Sequence, residues 1–490
     1  MNPIKIVRRS VTVACFFLLL KFNPAAKTVG QDNLKPGLES QALQAMKRAT
    51  HFFHDQVAVH GGYVYKYSLD LKHREGEGKA SPTEIWVQPP GTPAVGMAFI
   101  KAFEATGDPQ FLQAAVDAAM ALVDGQLESG GWSSSIEFDP KGKHADRLRS
   151  GKGKPKGKNY STLDDDKTQS AICLLMQTDK ALQFRNPVIH EATVFALDAM
   201  LTAQFANGGF PQGWREPVTQ QPVKKASYPE YDWRTENRIK DYWDYYTLND
   251  GLAGTAARTL HMAHQVYGEQ KYHDALLKLG DFLILAQLPE PQTGWAQQYN
   301  FDMHPMWARK FEPPAVSGRE SEDAMSTLLF LYELTGDSRY LPPVESGLAW
   351  LNRSKLPDGQ IARFYELKTN RPLYFVRDTY ELTYDDSNLP THYGFKTDPR
   401  TDRIEKRLNE LKQSGKSPKS ASSLKTLTRD AEQIINELDD QGRWLAMNDN
   451  KPADARSIRK GEAFISSELF SRNLTRLAEY LTTAKGAHIP

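Results

Sequence analysis

The chain has 490 residues, with 61 lysines and arginines against 60 aspartates and glutamates. That balance gives no reason to expect nucleic acid as a partner, so an anionic ligand must be met by a local cluster of charge. Of the two cysteines, Cys15 lies in the N-terminal segment and Cys173 is left alone, which excludes an intrachain disulfide in the remainder.

The first 31 residues do not read as fold. Lys5, Arg8 and Arg9 precede the apolar run Val11–Leu20, and small residues follow at Ala25 and Ala26. This is the layout of a secretory signal peptide, with an apolar run shorter than the roughly 20 residues of a bilayer span. Residues 1–26 are therefore expected to be removed. The mature chain is expected to be secreted or periplasmic, with no membrane span. Cleavage would take four of the 61 basic residues and leave 57 against 60 acids.

Periodicity beyond this point is mostly helical. Phe111, Ala115, Ala118, Ala119 and Leu122 fall at three- and four-residue steps, as do Leu276, Leu279, Phe282 and Leu283. A unit recurs: a turn signal opens a helical stretch that ends in glycine plus an extended, aromatic piece. It runs from TGDPQF to the Gly-Trp at 131–132, from YGEQKY to the Gly-Trp at 294–295, and from TGDSRY to Asp358–Tyr365. Related pieces start at His60, Asn207 and Asp440. Such repeats predict stacked helical hairpins, and closed into a ring they make a mainly α fold, an α/α toroid with short strands and long loops around a central groove. The aromatic after each glycine either faces that groove or plugs the core. Cys173, between Ile172 and Leu174, reads as a buried core thiol. Residues 140–160 and 413–424, rich in Lys, Gly and Ser, read as mobile, exposed insertions, the first without an apolar face.

Asp164, Asp165 and Asp166 are three adjacent carboxylates, costly unless solvated or bound to a cation, and hard cations such as calcium take several oxygen ligands. Adjacent side chains point different ways, so two of the three can share an ion. The other reading is a helix N-terminus, with capping and the dipole favouring acids before a helix from Lys167. Asn249-Asp250 follows a dense aromatic run, Tyr242 to Tyr246. Arg309, Arg319, Arg363 and Arg377 lie among aromatics, prolines and acids. A cleft lined by arginines suits an acidic ligand, because the planar guanidinium grips carboxylates two-pronged. Salt bridges to Glu312, Glu320 or Asp378 are an equal explanation for any one of them. The chain lacks a nucleophile elbow, a P-loop, a dinucleotide fingerprint, HExxH and CxxC.

Five segments in order, DDDKTQ (164–169), AQFANGGFPQGW (203–214), TLND (247–250), WARKFEPPAVSGRES (307–321) and ARFYELKTNRPLYFVRD (362–378), resemble polysaccharide lyase family 10, the pectic acid lyases. The resemblance implies a helical toroid in one catalytic domain over 32–485, acting as a monomer. It implies an acidic polysaccharide, pectate, as partner, calcium (Ca2+) recruited with it, and endo-cleavage by β-elimination. Arg309 looks like the catalytic arginine that takes the C5 proton. Arg363 and Arg377 look like the pair that grips substrate carboxylates, Asp164 or Asp165 like the calcium ligand, Asp250 like a further acidic site residue, and Lys167 like a substrate contact. Between Gln212 and Thr247 the chain departs from that pattern with a long insertion-like stretch. An arginine base predicts an alkaline optimum, because its reference pKa is above about 12. Two rivals remain: a toroidal glycoside hydrolase working through Asp250 or Asp232, and a non-catalytic pectin-binding protein.

Overall fold

A computed structural model describes residues 37–235, 238–415, 422–448 and 461–487. The signal-peptide segment lies outside the described residues, as does the 416–421 part of the second expected insertion. Among the described residues no helix is long and apolar enough to cross a membrane.

In chain order the helices are α1 (Leu38–Phe52), α2 (Thr92–Thr106), α3 (Pro109–Asp124), α4 (Lys167–Ala181), α5 (Pro187–Thr202), α6 (Leu252–Tyr267), α7 (Gln270–Ala286), α8 (Gly318–Thr335), α9 (Leu341–Arg353), α10 (Thr401–Ser414), α11 (Leu424–Asn436) and α12 (Ser467–Ala487). Helices α2, α4, α6, α8 and α10 pack in that sequence, and α12 packs back on α2. Helices α3, α5, α7 and α9 each lie on the inner helix before them, while α11 and α1 lie on α12. This is the α/α toroid that the repeats predict.

The turn signals act through two residues. In TGD, Gly107 closes α2 in the left-handed conformation (φ 73°), and the Asp108 carboxylate accepts the Gln110 N–H at 3.0 Å to cap α3. Gly336 and Asp337 repeat the arrangement before α9. The other rim is different in kind. There the chain runs through long connections, such as 125–166, 203–251 and 354–400, and all the short strands sit in them.

The aromatics of the glycine turns plug the core and do not face the groove. Trp132, Trp295 and Trp444 are buried, and each indole donates to the outer helix just left: to Leu122 O (2.8 Å), Leu283 O (2.7 Å) and Ile434 O (2.9 Å). A tyrosine three residues downstream of a backbone N–H accepts it in three repeats, Val64 to Tyr67, Ala296 to Tyr299 and Ala362 to Tyr365. Gly208 (φ 91°) brings its turn against α7 so closely that a Cβ would stand 1.7 Å from Lys278 O.

A glutamine after each of three outer helices joins one hairpin to the next. Gln126 Nε2 donates to Gly130 O in its own turn (2.8 Å) and to Ala192 O of α5 (3.0 Å). Gln204 reaches Gly208 O (3.0 Å) and Ala275 O of α7 (2.9 Å), and Gln287 reaches Thr293 O and Pro343 O of α9 (both 2.8 Å).

Residues 140–160 differ from their expected form. Ala145, Leu148 and Tyr160 are buried, Arg149 N donates to Gln126 O (2.8 Å), and Arg149 pairs with Glu191 on α5. The segment packs on the α3 turn through its few apolar side chains instead of running as a solvated linker. Cys173 is partly buried, 3.5 Å from Thr259 Oγ1, and burial pushes its thiol up to about 12. That makes it an inert thiol.

Replacing Gln204 by Ala removes both bonds: Gly208 O loses its side-chain donor, at a cost of about 1–3 kcal/mol, and Ala275 O, within α7, loses the bond that joins it to the turn. Urea unfolding should show Gln204→Ala destabilised by about 2–4 kcal/mol, with the exposed Gln441→Ala within about 0.5 kcal/mol of wild type.

Candidate active site

Three inner helices begin next to one another at the rim of long connections, and short strands set what precedes each start. Strand 161–162 pairs antiparallel with 213–214, placing Thr162 opposite Gly213, so that Gln212 Nε2 donates to Asp164 Oδ1 at 2.7 Å. Strand 246–247 pairs with 298–299 and leads into Asn249-Asp250 ahead of α6. Strand 315–317 pairs with 364–366, Phe364 opposite Ser317, which sets Arg363 beside the start of α8.

Asp164, Asp165 and Asp250 converge: each offers a carboxylate oxygen within 4.8 Å of the others. Asp165, Asp166 and Asp250 all have positive φ (47°, 61° and 51°), a conformation that aspartate tolerates better than most side chains. The capping alternative is not realised through a side chain, since no Asp166 carboxylate hydrogen bond caps α4. Burial pushes the Asp166 carboxyl up to about 6 against the pull of the Arg258 guanidinium.

Lys167, the first residue of α4, is buried, with Nζ 2.9 Å from Asp164 Oδ2 and 3.4 Å from Asp165 Oδ2. Burial works against its cation, but the two aspartates more than offset this, and its pKa is raised. Gln88 Nε2 adds a donor to Asp165 (3.3 Å) and Asn249 Nδ2 one to Asp250 (2.5 Å). One lysine does not balance three carboxylates. Burial lifts the Asp165 carboxyl, and burial together with Asp165 and Asp164 pushes Asp250 up to about 7.

The arginines divide. Arg363 is almost buried; it donates to Glu320 Oε1 (2.6 Å) and, at 3.4 Å, to Asn249 Oδ1 and Gln297 Oε1. Among the described residues its buried Nε has no partner. Arg309 holds Glu312 two-pronged, Nε to Oε2 (2.8 Å) and NH2 to Oε1 (2.5 Å). Burial opposes its charge, yet the Glu312 carboxylate raises the guanidinium pKa above its ordinary value. Both guanidinium groups stand over the Tyr393 ring, Arg363 at 4.8 Å and Arg309 at 5.5 Å, and the Tyr393 hydroxyl donates to Glu312 (2.9 Å). The salt bridges to Glu312 and Glu320 weighed from the sequence are therefore present. Arg319 faces Asp323 at 3.8 Å. Arg377 stands apart: its Nε donates to Leu389 O (2.9 Å), and among the described residues no contact joins it to Arg363 or the aspartates. Asp232 is exposed in its own turn, accepting from Arg234 N (3.1 Å).

The pectic acid lyase family model matches residues 126–362. Residues 126–362 therefore carry the pectic acid lyase pattern. No curated protein matches the chain. Its structure is similar to a mutant of the family 10 polysaccharide lyase from Cellvibrio cellulosa in complex with trigalacturonic acid, at 20% identity and a TM-score of 0.46, over 66% of this chain and 98% of that one. It is also similar to a D-mannose isomerase (13%, TM-score 0.45, 91% and 99% covered). A third likeness is to the cellobiose 2-epimerase from Spirochaeta thermophila (14%, 0.44, 92% and 99%).

The pectic acid lyase region contains Asp164, Asp165, Asp250, Lys167 and Arg309; Arg363 follows its last residue and Arg377 lies beyond it. The aspartates fit a metal ion by the chemistry of their donors: oxygen atoms only, close together, with negative charge left over after Lys167, the set a hard divalent cation takes. Below them, a cavity of ≈ 520 Å³ runs between α6 and α8, with Asp165, Asp250, Arg258, Glu320 and Arg363 in its wall. Sequence reasoning missed Gln88, Gln212, Asn249 and Tyr393 as parts of this network. Gln212 and Asn249 stood inside the quoted motifs, whereas Gln88 and Tyr393 carried no local signal.

A carboxyl whose pKa is raised on folding loses stability as pH climbs from its unfolded value to its folded one, because the unfolded chain ionises first. In chelator, thermal stability should therefore fall between about pH 4 and 7. Asp250→Asn should flatten that slope, and a saturating divalent cation should remove it from wild type.

Proposed function

We propose that the chain is an exported, calcium-assisted pectate lyase, a single catalytic domain over 32–485 that cleaves α-1,4-linked galacturonan by β-elimination to 4,5-unsaturated oligogalacturonides. The observation that carries this reading is the meeting of the Asp164, Asp165 and Asp250 oxygens with Arg363, through Asn249, within the pectic acid lyase region and its edge. The family match and the trigalacturonic acid held by the Cellvibrio enzyme agree with that substrate class.

Asp164, Asp165 and Asp250 would hold the cation, with Gln212, Gln88 and Asn249 orienting them. Held there, calcium would neutralise a uronate carboxylate and so make the C5 proton more acidic. Arg363, aimed by Glu320, is the group we assign to grip a carboxylate. Arg377 could join it only from its loop, which packs on the Arg309 segment through Tyr380 against Phe311 (5.9 Å). Arg309 takes the proton only after its tie to Glu312 loosens, since that carboxylate favours the charged guanidinium. The consequence is a rate that climbs into the alkaline range.

One observation favours a hydrolase instead. Asp250 at about 7 has the pKa of a general acid, as burial gives glycosidase carboxyls. The products decide. An unsaturated uronate end absorbs in the ultraviolet and a hydrolysis product does not. Polygalacturonate should give that absorbance, chelator should abolish it, and Arg309→Ala should lower kcat at least about 100-fold. New reducing ends without absorbance would overturn the lyase reading and move the chemistry to Asp250. Glu312→Gln removes the carboxylate that keeps Arg309 charged, so its rate profile should shift toward lower pH. An unmoved profile would exclude Arg309 as the base.

A further inference from the structure

A second recess, of ≈ 290 Å³, opens beside Asp164 and Lys167. Besides Asp164, Lys167 and Gln212, its walls come largely from two segments that lie outside the five motifs. Lys158 and Tyr160 end the 140–160 segment, while Arg215, Tyr242 and Trp243 belong to the stretch between Gln212 and Thr247. The recess is therefore built by parts of the chain far apart in sequence that meet at the rim of the acidic cluster.

Its chemistry is specific. Lys158 Nζ and the Arg215 guanidinium both stand over the Tyr160 ring, at 5.2 and 5.4 Å. Among the described residues neither cation makes an ion pair; Asp146 and Asp244 act on them only at longer range. This sets them apart from Arg309, Arg363, Arg400 and Arg407, each of which holds a carboxylate. The Tyr160 side chain lines the recess, and its buried hydroxyl has no hydrogen-bond partner among the described residues. Such a group is unfavourable unless something supplies one. Tyr242 and Trp243 form the opposite aromatic wall, edge to face at 5.1 Å. Their backbone is fixed from two sides, Gln212 N donating to Trp243 O (2.9 Å) and Gln298 Nε2 to Tyr242 O (2.5 Å).

Uncommitted cations, a buried hydroxyl in need of a partner and aromatic faces are together what an anionic sugar ring requires. The carboxylate pairs with the cations and the apolar ring face lies on the aromatics. The geometry points to this recess as a flanking subsite for one further uronate unit of the polymer, with Arg215 and Lys158 reading its free carboxylate and Tyr160, Tyr242 and Trp243 holding its ring. The assignment rests on the pectate lyase reading for its substrate class. It gives the two segments one role at this rim, the reading of a free carboxylate, so that stretches of polymer without methyl esters bind best there.

The test uses the full mature chain with calcium. Arg215 is exposed, so Arg215→Gln threatens folding little. It should raise KM for polygalacturonate about tenfold and leave kcat within about twofold, as for a binding contact made equally before and during the reaction. The effect should shrink on highly methyl-esterified pectin, and Arg215→Lys should recover part of it. Trp243→Ala should raise KM on both substrates. Retardation in a native gel containing polygalacturonate reads binding without turnover. Unsaturated products with unchanged KM in both Arg215→Gln and Trp243→Ala would overturn the subsite and leave the lyase reading standing. A wild type that makes no unsaturated product, yet is retarded less after Arg215→Gln, would overturn the lyase reading and keep the subsite. A loss in Arg215→Gln that is equal on esterified and unesterified polymer would overturn carboxylate recognition there.

Discussion

Gln126, Gln204 and Gln287 each spend both amide hydrogens on backbone carbonyls, one in their own turn and one on the next outer helix. A side-chain amide left unpaired away from water is costly, so these bonds hold where a looser contact would slide. They fix how far each outer helix stands from the next and where each long connection leaves the ring. The starts of α4, α6 and α8 inherit that placement. If one outer helix moved by a fraction of a turn, the oxygens of Asp164, Asp165 and Asp250 would no longer share a space 4.8 Å across.

The site itself is held by charge that the protein only partly balances. Lys167 is the internal counter-ion of Asp164 and Asp165, Glu320 that of Arg363, and Glu312 that of Arg309. The arginines are matched one to one, whereas the aspartates exceed their lysine. The imbalance appears as an Asp250 carboxyl pushed up to about 7 and as three site or near-site aspartates held at positive φ. Excess negative charge and local backbone cost thus fall at one place, the combination that a hard cation would relieve.

Much of this was legible in the sequence because it is local. Gly107-Asp108 and Gly336-Asp337 end one helix and cap the next within two residues, so the hairpins could be read from turn chemistry. The aspartate run and Asn249-Asp250 stood out because clustered carboxylates are expensive without a partner. What stayed hidden depends on residues distant in sequence. Asp250 meets Asp164 and Asp165 through pairings between distant segments, 161–162 with 213–214, Pro211 with Tyr246, and 246–247 with 298–299. Arg363 meets Asn249 from 114 positions away. The glycine-turn tryptophans could have faced either way; the carbonyls exposed at the ends of α3, α7 and α11 claim their indole N–H groups and turn them inward. Residues 140–160 looked featureless because three scattered apolar side chains suffice to seat them.

The ring keeps its two rims unlike. On one, α2 passes to α3 and α6 to α7 through two residues each, Gly107-Asp108 and Gly268-Glu269. On the other, each outer helix returns to the next inner helix through a long excursion, and the acidic cluster, the arginines and both recesses are made there. Length can thus be added or removed on that side without any helix changing its neighbours. The toroid works as a loom, with a fixed warp at one edge and a pattern woven at the other. Substrate preference can then drift by insertion while the machinery below it stays in register.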